Sequence, residues 1–214
     1  MTATLFFDLD GTLTDPKDGI VRCIGHALAA LGETVPADDD LLWCIGPPLQ
    51  TSFAQMLGGQ ERVEQAVQLY RERFSTIGMF ENAVYDGVPA LLETLKSHGH
   101  RLYLATSKPH VYADKILDHF ELSGFFERSF GAELDGTRAD KTDLLAYAIA
   151  QTGALPDTAW MVGDRKHDMI GARANRVKGI GVLYGYGSRD ELELAQAHAV
   201  VERPLDLIGL LCAS

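Results

Sequence analysis

From residue 88 to the end of the chain, short apolar runs alternate with stretches whose apolar residues recur every three or four positions. The first kind reads as buried strand and the second as amphipathic helix. The pattern predicts helices over 88–97, 109–120, 141–152, 168–175, 189–197 and 204–211, and strands over 101–105, 128–131, 159–162, 179–183 and 199–201. Strands joined through helices run parallel, because a parallel pair needs a long crossover where an antiparallel pair needs only a hairpin. The crossovers then cover both faces of the sheet. The expected fold class is α/β, a Rossmann-like parallel sheet with helices on both faces.

One further strand is expected near the start, over 4–9, where "TLFFDL" is apolar until its end. The segment after it, as far as residue 84, has helical periodicity. Ile20, Val21, Ile24, Ala27, Leu28 and Leu31 share a face of a helix over 18–31, with Asp18 in the N-cap position and Gly32 closing it. Short helices over 38–44 and 49–57 flank the breaker Gly46-Pro47-Pro48, and a longer one runs over 60–77. The expected organisation is a core domain of 1–14 and 85–214 and an inserted all-helical cap domain of 15–84. Ligands of parallel sheets bind at the carboxyl ends of the strands. The insertion leaves the first strand at that edge, so the cap is expected over it.

Two aspartates, Asp8 and Asp10, stand at the end of the first strand, separated by Leu9. Side chains alternate along a strand, so both acids can point one way while Leu9 returns to the core. Gly11 permits a tight turn, and Thr12 adds a hydroxyl. Other polar residues fall at the same predicted edge: Thr106-Ser107 after one strand, Gly163-Asp164 after another with Asp168 four residues on, and Lys141 at a helix start. Close carboxylates repel unless a cation neutralises them. Converging carboxylates suit a hard ion such as Mg²⁺, which keeps places for water and phosphate oxygens. A lysine and hydroxyls beside it suit the remaining oxygens of a phosphoryl group. Taken singly, each residue has a plainer reading. Asp10-Gly11 makes an ordinary turn, Thr106-Ser107 a helix cap, Lys141 a surface lysine, and Asp164 and Asp168 a loop acid and a helix N-cap.

The chain's charge bounds its partners. Of 214 residues 46% are hydrophobic, enough for a substantial core, and the net charge is −11. That balance argues against a nucleic-acid polymer or an anionic membrane, and means an anionic substrate needs a local positive centre or a metal. No apolar stretch reaches the roughly 20 residues of a membrane span. The three cysteines, Cys23, Cys44 and Cys212, are widely spaced and odd in number. With no signal-peptide pattern, reduced thiols in a cytoplasmic protein are expected. The expected partner is a small-molecule phosphate ester, and the expected assembly a monomer or homodimer.

The set Asp8-x-Asp10-Gly11-Thr12, Thr106, Lys141 and Gly163-Asp164-x-x-x-Asp168 resembles the four motifs of the haloacid dehalogenase (HAD) superfamily, in order and over essentially the whole chain. The cap position is similar to that of the phosphoglycolate phosphatase-like branch. "GDRKHDM", "GVLYGYGSRDEL" and "GPPLQ" resemble bacterial 5′-nucleotidase-type members. The chain departs from the family at Ser107, where members often carry Asn, and at Arg165-Lys166, where small residues are common.

The resemblance implies a Mg²⁺-dependent phosphomonoesterase acting through an aspartyl-phosphate on nucleoside 5′-monophosphates. Alternatives are a phosphatase of phosphoglycolate or another small ester, a sugar phosphomutase, or a non-catalytic phosphate-binding regulator. Asp8 is then the nucleophile and Asp10 the general acid and base. Mg²⁺ lies with Asp8, the Asp10 main-chain carbonyl and Asp164, while Asp168 orients the metal's waters or Lys141. Gly11, Thr106, Ser107 and Lys141 hold the phosphate. Arg22, Gly46 and Pro47 of the cap are candidate substrate contacts, although Arg22 also reads as a solvated helix residue and Gly46-Pro47 as a plain turn.

Overall fold

The computed structural model describes residues 2–212; Met1, Ala213 and Ser214, at the outer ends of the expected core domain, lie outside the described residues. In chain order the elements are β1 (Thr4–Phe7), β2 (Thr14–Asp15), α1 (Lys17–Ala30), α2 (Leu49–Leu57), α3 (Val63–Phe74), β3 (Ala83–Val84) and α4 (Val88–Ser97). There follow β4 (Arg101–Pro109), α5 (His110–His119), β5 (Arg128–Ala132), α6 (Lys141–Thr152), β6 (Ala159–Gly163) and α7 (Lys166–Ala174). The chain ends with β7 (Lys178–Val182), α8 (Arg189–Leu194), β8 (Ala199–Val201) and α9 (Asp206–Leu211). These elements form two compact units, one of Met1–Asp15 with Val84–Ser214 and one of Pro16–Ala83.

The first unit holds a six-stranded sheet in the order β5-β4-β1-β6-β7-β8, parallel at each pairing. The chain leaves β1 for β4 on one side and later returns for β6 on the other. The strand order therefore reverses at the carboxyl end of β1, which is where a crevice opens in such sheets. Strand alternation divides the core. Phe6, Tyr103, Ala105, Phe130 and Met161 pack with Leu144, Leu145 and Ala148 of α6 and Ala172 of α7. Leu5, Phe7, Leu102 and Leu104 point the other way and are equally buried, and α4 and α5 contact β4. The α/β class with a parallel sheet is as the alternation requires.

The second unit is built on α1, α2 and α3, with α3 packed on both others. Ile20, Ile24, Ala27, Phe53, Ala66, Tyr70 and Phe74 are buried. Tyr70 stacks on Phe74 at 5.1 Å and meets Phe53 edge-on at 6.3 Å between ring centroids. Glu81 receives a fork from Arg73, at 2.6 and 3.0 Å, and a further bond from Arg22 at 2.9 Å.

Several boundaries differ from the sequence reading. β1 stops at Phe7, because the Leu9 carbonyl accepts the N–H groups of Thr12, Leu13 and Thr14 and coils the chain there. Asp18 is not the N-cap of α1. Pro16 is, and Asp18 lies in the first turn, where its charge still favours the helix dipole. Residues Asp38–Cys44 form a 3₁₀ rather than an α-helix. β4 continues to Pro109, with a register slip against β5 between Thr106 and Pro109. α7 begins at Lys166, so Asp168 is not its N-cap but sits at its third position, accepting the Arg165 N–H at 3.1 Å.

Phe6 is fully buried and stacks on Tyr103 at 5.6 Å, under α6. Phe6→Ala is expected to lower stability by about 3–5 kcal/mol, read as an earlier urea midpoint with an unchanged slope.

Candidate active site

Burial concentrates charge at the carboxyl end of β1. The buried charged residues here include Asp8, Asp10, Lys141, Asp164 and Asp168. Groups of this kind are almost never fully buried unless paired. They come from several places in the chain: Asp8 and Asp10 follow β1, Asp164 follows β6, Asp168 lies in the first turn of α7, and Lys141 opens α6. The helix start at Lys141 is fixed by Asp140, whose side chain accepts the N–H of Thr142 at 2.8 Å. Gly171 lets α7 lie close to that start, since a methyl group there would meet Lys141 at 3.0 Å.

Lys141 is the hub. Its Nζ lies 3.1 Å from Asp8 Oδ1 and 2.8 Å from Asp168 Oδ1, and donates to the Ala105 carbonyl at 3.0 Å. Burial works against its charge, but the carboxylates of Asp168 and Asp8 outweigh it and raise its pKa. Asp8 Oδ1 also accepts the N–H of Leu9 at 2.8 Å. The Asp8 carboxylate is thus held in one orientation from two sides.

Asp8, Asp164 and Asp168 each place a carboxylate oxygen within 4.8 Å of the others. Asp164 is wholly buried and enclosed by backbone. Its Oδ2 accepts the N–H of Tyr186 at 2.8 Å, while Oδ1 has no hydrogen-bond partner. A methyl group at Gly11 would lie 2.2 Å from Asp164 Oδ2, and one at Gly187 1.9 Å from the Asp164 carbonyl oxygen. Gly11 also has φ +78°, which glycine alone adopts without strain. Burial first, then the charges of Asp168 and Asp8, push the Asp164 carboxyl well above the usual range. An orphaned carboxylate oxygen among two other acids has the donor set of a hard divalent cation. Asp168 is bound at both oxygens, by Lys141 and by the Arg165 N–H, so Asp8 and Asp164 are the freer donors.

Asp10 stands apart from this cluster and meets Lys108, whose Nζ is 2.7 Å away. Burial raises the Asp10 carboxyl, and Lys108 opposes that shift. Thr106 is buried at the end of the regular part of β4, and its Oγ1 accepts the Lys108 N–H at 3.3 Å rather than capping α5. Ser107 follows it, partly exposed. The N–H of Gly11, expected to face phosphate, donates to the Thr14 carbonyl at 2.8 Å, so the part Gly11 plays is to turn the chain beneath Asp164. Glu191 accepts the Arg165 side chain through Nε at 2.9 Å and the Lys166 backbone N–H at 2.8 Å.

The structure brings Asp8, Asp10, Thr106, Lys141, Asp164 and Asp168 to one sheet edge. Arg22, Gly46 and Pro47 belong to the second unit, where Arg22 is bound to Asp18 and Glu81. Sequence reasoning passed over Lys108 of "TSKP", whereas the "YGYGS" segment, read as a structural loop near the site, does lie against Asp164 through Gly185, Tyr186 and Gly187.

The chain is similar to known proteins over most of its length. The family model described as haloacid dehalogenase-like hydrolase matches residues 5–182. A 5′-nucleotidase of Pseudomonas aeruginosa is 47% identical over 96% of this chain and 92% of its own length. The tyrosine-protein kinase PtkA of Mycobacterium tuberculosis is 42% identical over 88% of this chain and 65% of its own length. A predicted phosphatase from Clostridium acetobutylicum superposes with a TM-score of 0.95 at 40% identity, covering 99% of each chain.

A carboxyl raised in the folded state binds its proton more tightly there than in the unfolded chain. It favours the fold at low pH, and that contribution is lost as pH climbs from 3.8 through the raised value. Without divalent cation the protein is expected to melt earlier at pH 8 than at pH 6. Asp164→Asn should narrow that difference, raise the melting temperature at pH 8 without metal, and remove most of the stabilisation by added Mg²⁺. A thermal-melt series with EDTA or Mg²⁺ at both pH values measures all three.

Proposed function

The chain belongs to the haloacid dehalogenase-like hydrolase family and is a phosphatase, and from that premise we propose that it is a Mg²⁺-dependent phosphomonoesterase working through an aspartyl-phosphate on Asp8. The observation that carries the reading is the difference between two acids two residues apart. Asp8 is fixed against a buried ammonium group, while Asp10 is buried with its carboxyl pushed toward the protonated form. A nucleophile has to be an anion, and a proton donor has to keep its proton.

In the first half-reaction an Asp8 carboxylate oxygen attacks phosphorus, and the bond from phosphorus to the leaving oxygen breaks. The Asp10 carboxylic acid gives its proton to that oxygen, so the product leaves as an alcohol. In the second half, the Asp10 carboxylate takes a proton from water as that water attacks phosphorus. Inorganic phosphate leaves and Asp8 is regenerated. Lys141, 3.1 Å from Asp8, and the Thr106 hydroxyl stabilise the phosphoryl oxygens as charge builds on them. Asp8, the Asp10 main-chain carbonyl and Asp164 would hold Mg²⁺, which would supply the positive charge that offsets the repulsion between an anionic nucleophile and an anionic phosphate. Asp168 orients Lys141, to which its carboxylate is bound at 2.8 Å.

Nucleoside 5′-monophosphates are the proposed substrates, supported by the 47%-identical relative named 5′-nucleotidase. Asp8→Asn, or EDTA, is expected to reduce hydrolysis of 4-nitrophenyl phosphate to background while the circular dichroism spectrum is unchanged. Activity that survives both would sink the mechanism. For the substrate, kcat/KM should be higher for a nucleoside 5′-monophosphate than for phosphoglycolate, a sugar phosphate or a phosphotyrosine peptide. A clear preference for phosphoglycolate would move the protein to the alternative reading.

A further inference from the structure

The pairing of Lys108 with Asp10 has no part in the phosphoryl-transfer steps. Lys108 Nζ lies 2.7 Å from Asp10 Oδ1 and 2.7 Å from Oδ2, with the two side chains 7% and 12% exposed. An exposed lysine would gain little from such a contact. This lysine is instead desolvated inside the site, against the residue that moves the proton.

Its placement follows from β4. Residues two apart on a strand share a face, so Thr106 and Lys108 are delivered together. The strand runs on to Pro109 through the register slip that begins at Thr106, and irregularities of this kind re-aim side chains beside active sites. The Thr106 hydroxyl takes the Lys108 N–H, and the next residue, Pro109, has no N–H to satisfy. The lysine is thus presented by a locally tied backbone rather than by a free loop.

We infer that Lys108 is a positioning residue for proton transfer, gripping both oxygens of Asp10 so that its carboxyl is aimed at the leaving-group oxygen. The inference rests on the reading of Asp10 as proton donor. As the O–H bond of Asp10 breaks and that of the departing alcohol forms, negative charge appears on a carboxylate already in contact with an ammonium group. No reorganisation is then needed at the moment of reaction.

A leaving-group comparison tests this. A nucleoside 5′-monophosphate leaves as a strongly basic alkoxide unless protonated, whereas 4-nitrophenolate leaves without a proton. Lys108→Met is expected to lower kcat on the nucleotide at least about tenfold more than on 4-nitrophenyl phosphate, a fraction of what a general acid contributes. KM should hold, and Lys108→Arg should restore part of the loss. Adding Lys108→Met to Asp10→Asn should cost little more than Asp10→Asn alone. Lys108→Gln gives the same comparison should the methionine variant not fold.

Equal losses on both substrates, or a rise in KM alone, would overturn the inference and make Lys108 a phosphate or substrate contact. If Asp10→Asn itself shows no leaving-group bias, the reading of Asp10 as the acid fails first, and the inference fails with it.

Discussion

The structure turns on the cost of putting several carboxylates at the end of one strand. Asp8, Asp164 and Asp168 are buried and converge within a few ångströms. Desolvation raises the proton affinity of Asp164, and the charges of Asp168 and Asp8 add to the effect. One buried ammonium group, Lys141, balances two of the acids, and Asp164 is left with an oxygen that has no hydrogen-bond partner among the described residues. A fold that kept this arrangement only for stability would do better with apolar residues of similar size. The arrangement suits a charged ligand that the acids and the lysine can share.

The parallel sheet makes such convergence possible. β4 and β6 flank β1, so residues separated by about a hundred positions end at one edge. Each strand contributes a short polar end to an otherwise apolar element. The glycines do the fine placement: Gly11 and Gly187 lie where any side chain would push into Asp164. Close backbone packing around the acid is what excludes water from it, and that exclusion produces the raised proton affinity.

The fold class and most of the site were legible in the sequence for a physical reason. Apolar periodicity reports burial, and a polar residue that interrupts it at a strand end, as Asp8 does after Leu5-Phe6-Phe7, stands out. The features that were not legible depend on tertiary geometry. The N–H of Gly11 is consumed by Thr14 in a turn that no residue-type rule specifies. Asp168 caps α7 from inside its first turn, because the helix starts two residues earlier than its apolar pattern does. Arg165 and Lys166 read only as departures from the family pattern, and Glu191, from a helix further along the chain, accepts the Arg165 side chain and the Lys166 backbone N–H. Lys108 was overlooked because a lone lysine after a strand is ordinarily a solvated one.

The two acids of the "DLD" sequence are chemically alike and separated by a single leucine, so their difference has to come from their surroundings. Each has its own lysine. Lys141 reaches Asp8 from the start of a helix and is shared with Asp168, whereas Lys108 reaches Asp10 from the end of a strand. The shared lysine leaves Asp8 in a network that fixes its carboxylate against further acids. The lysine on Asp10 faces a carboxyl that burial pushes toward its neutral form, so the two effects on Asp10 oppose each other. An acid poised between opposing shifts is suited to give up a proton and recover it. The difference in surroundings between these neighbouring identical residues is thus set by elements far from them in the chain.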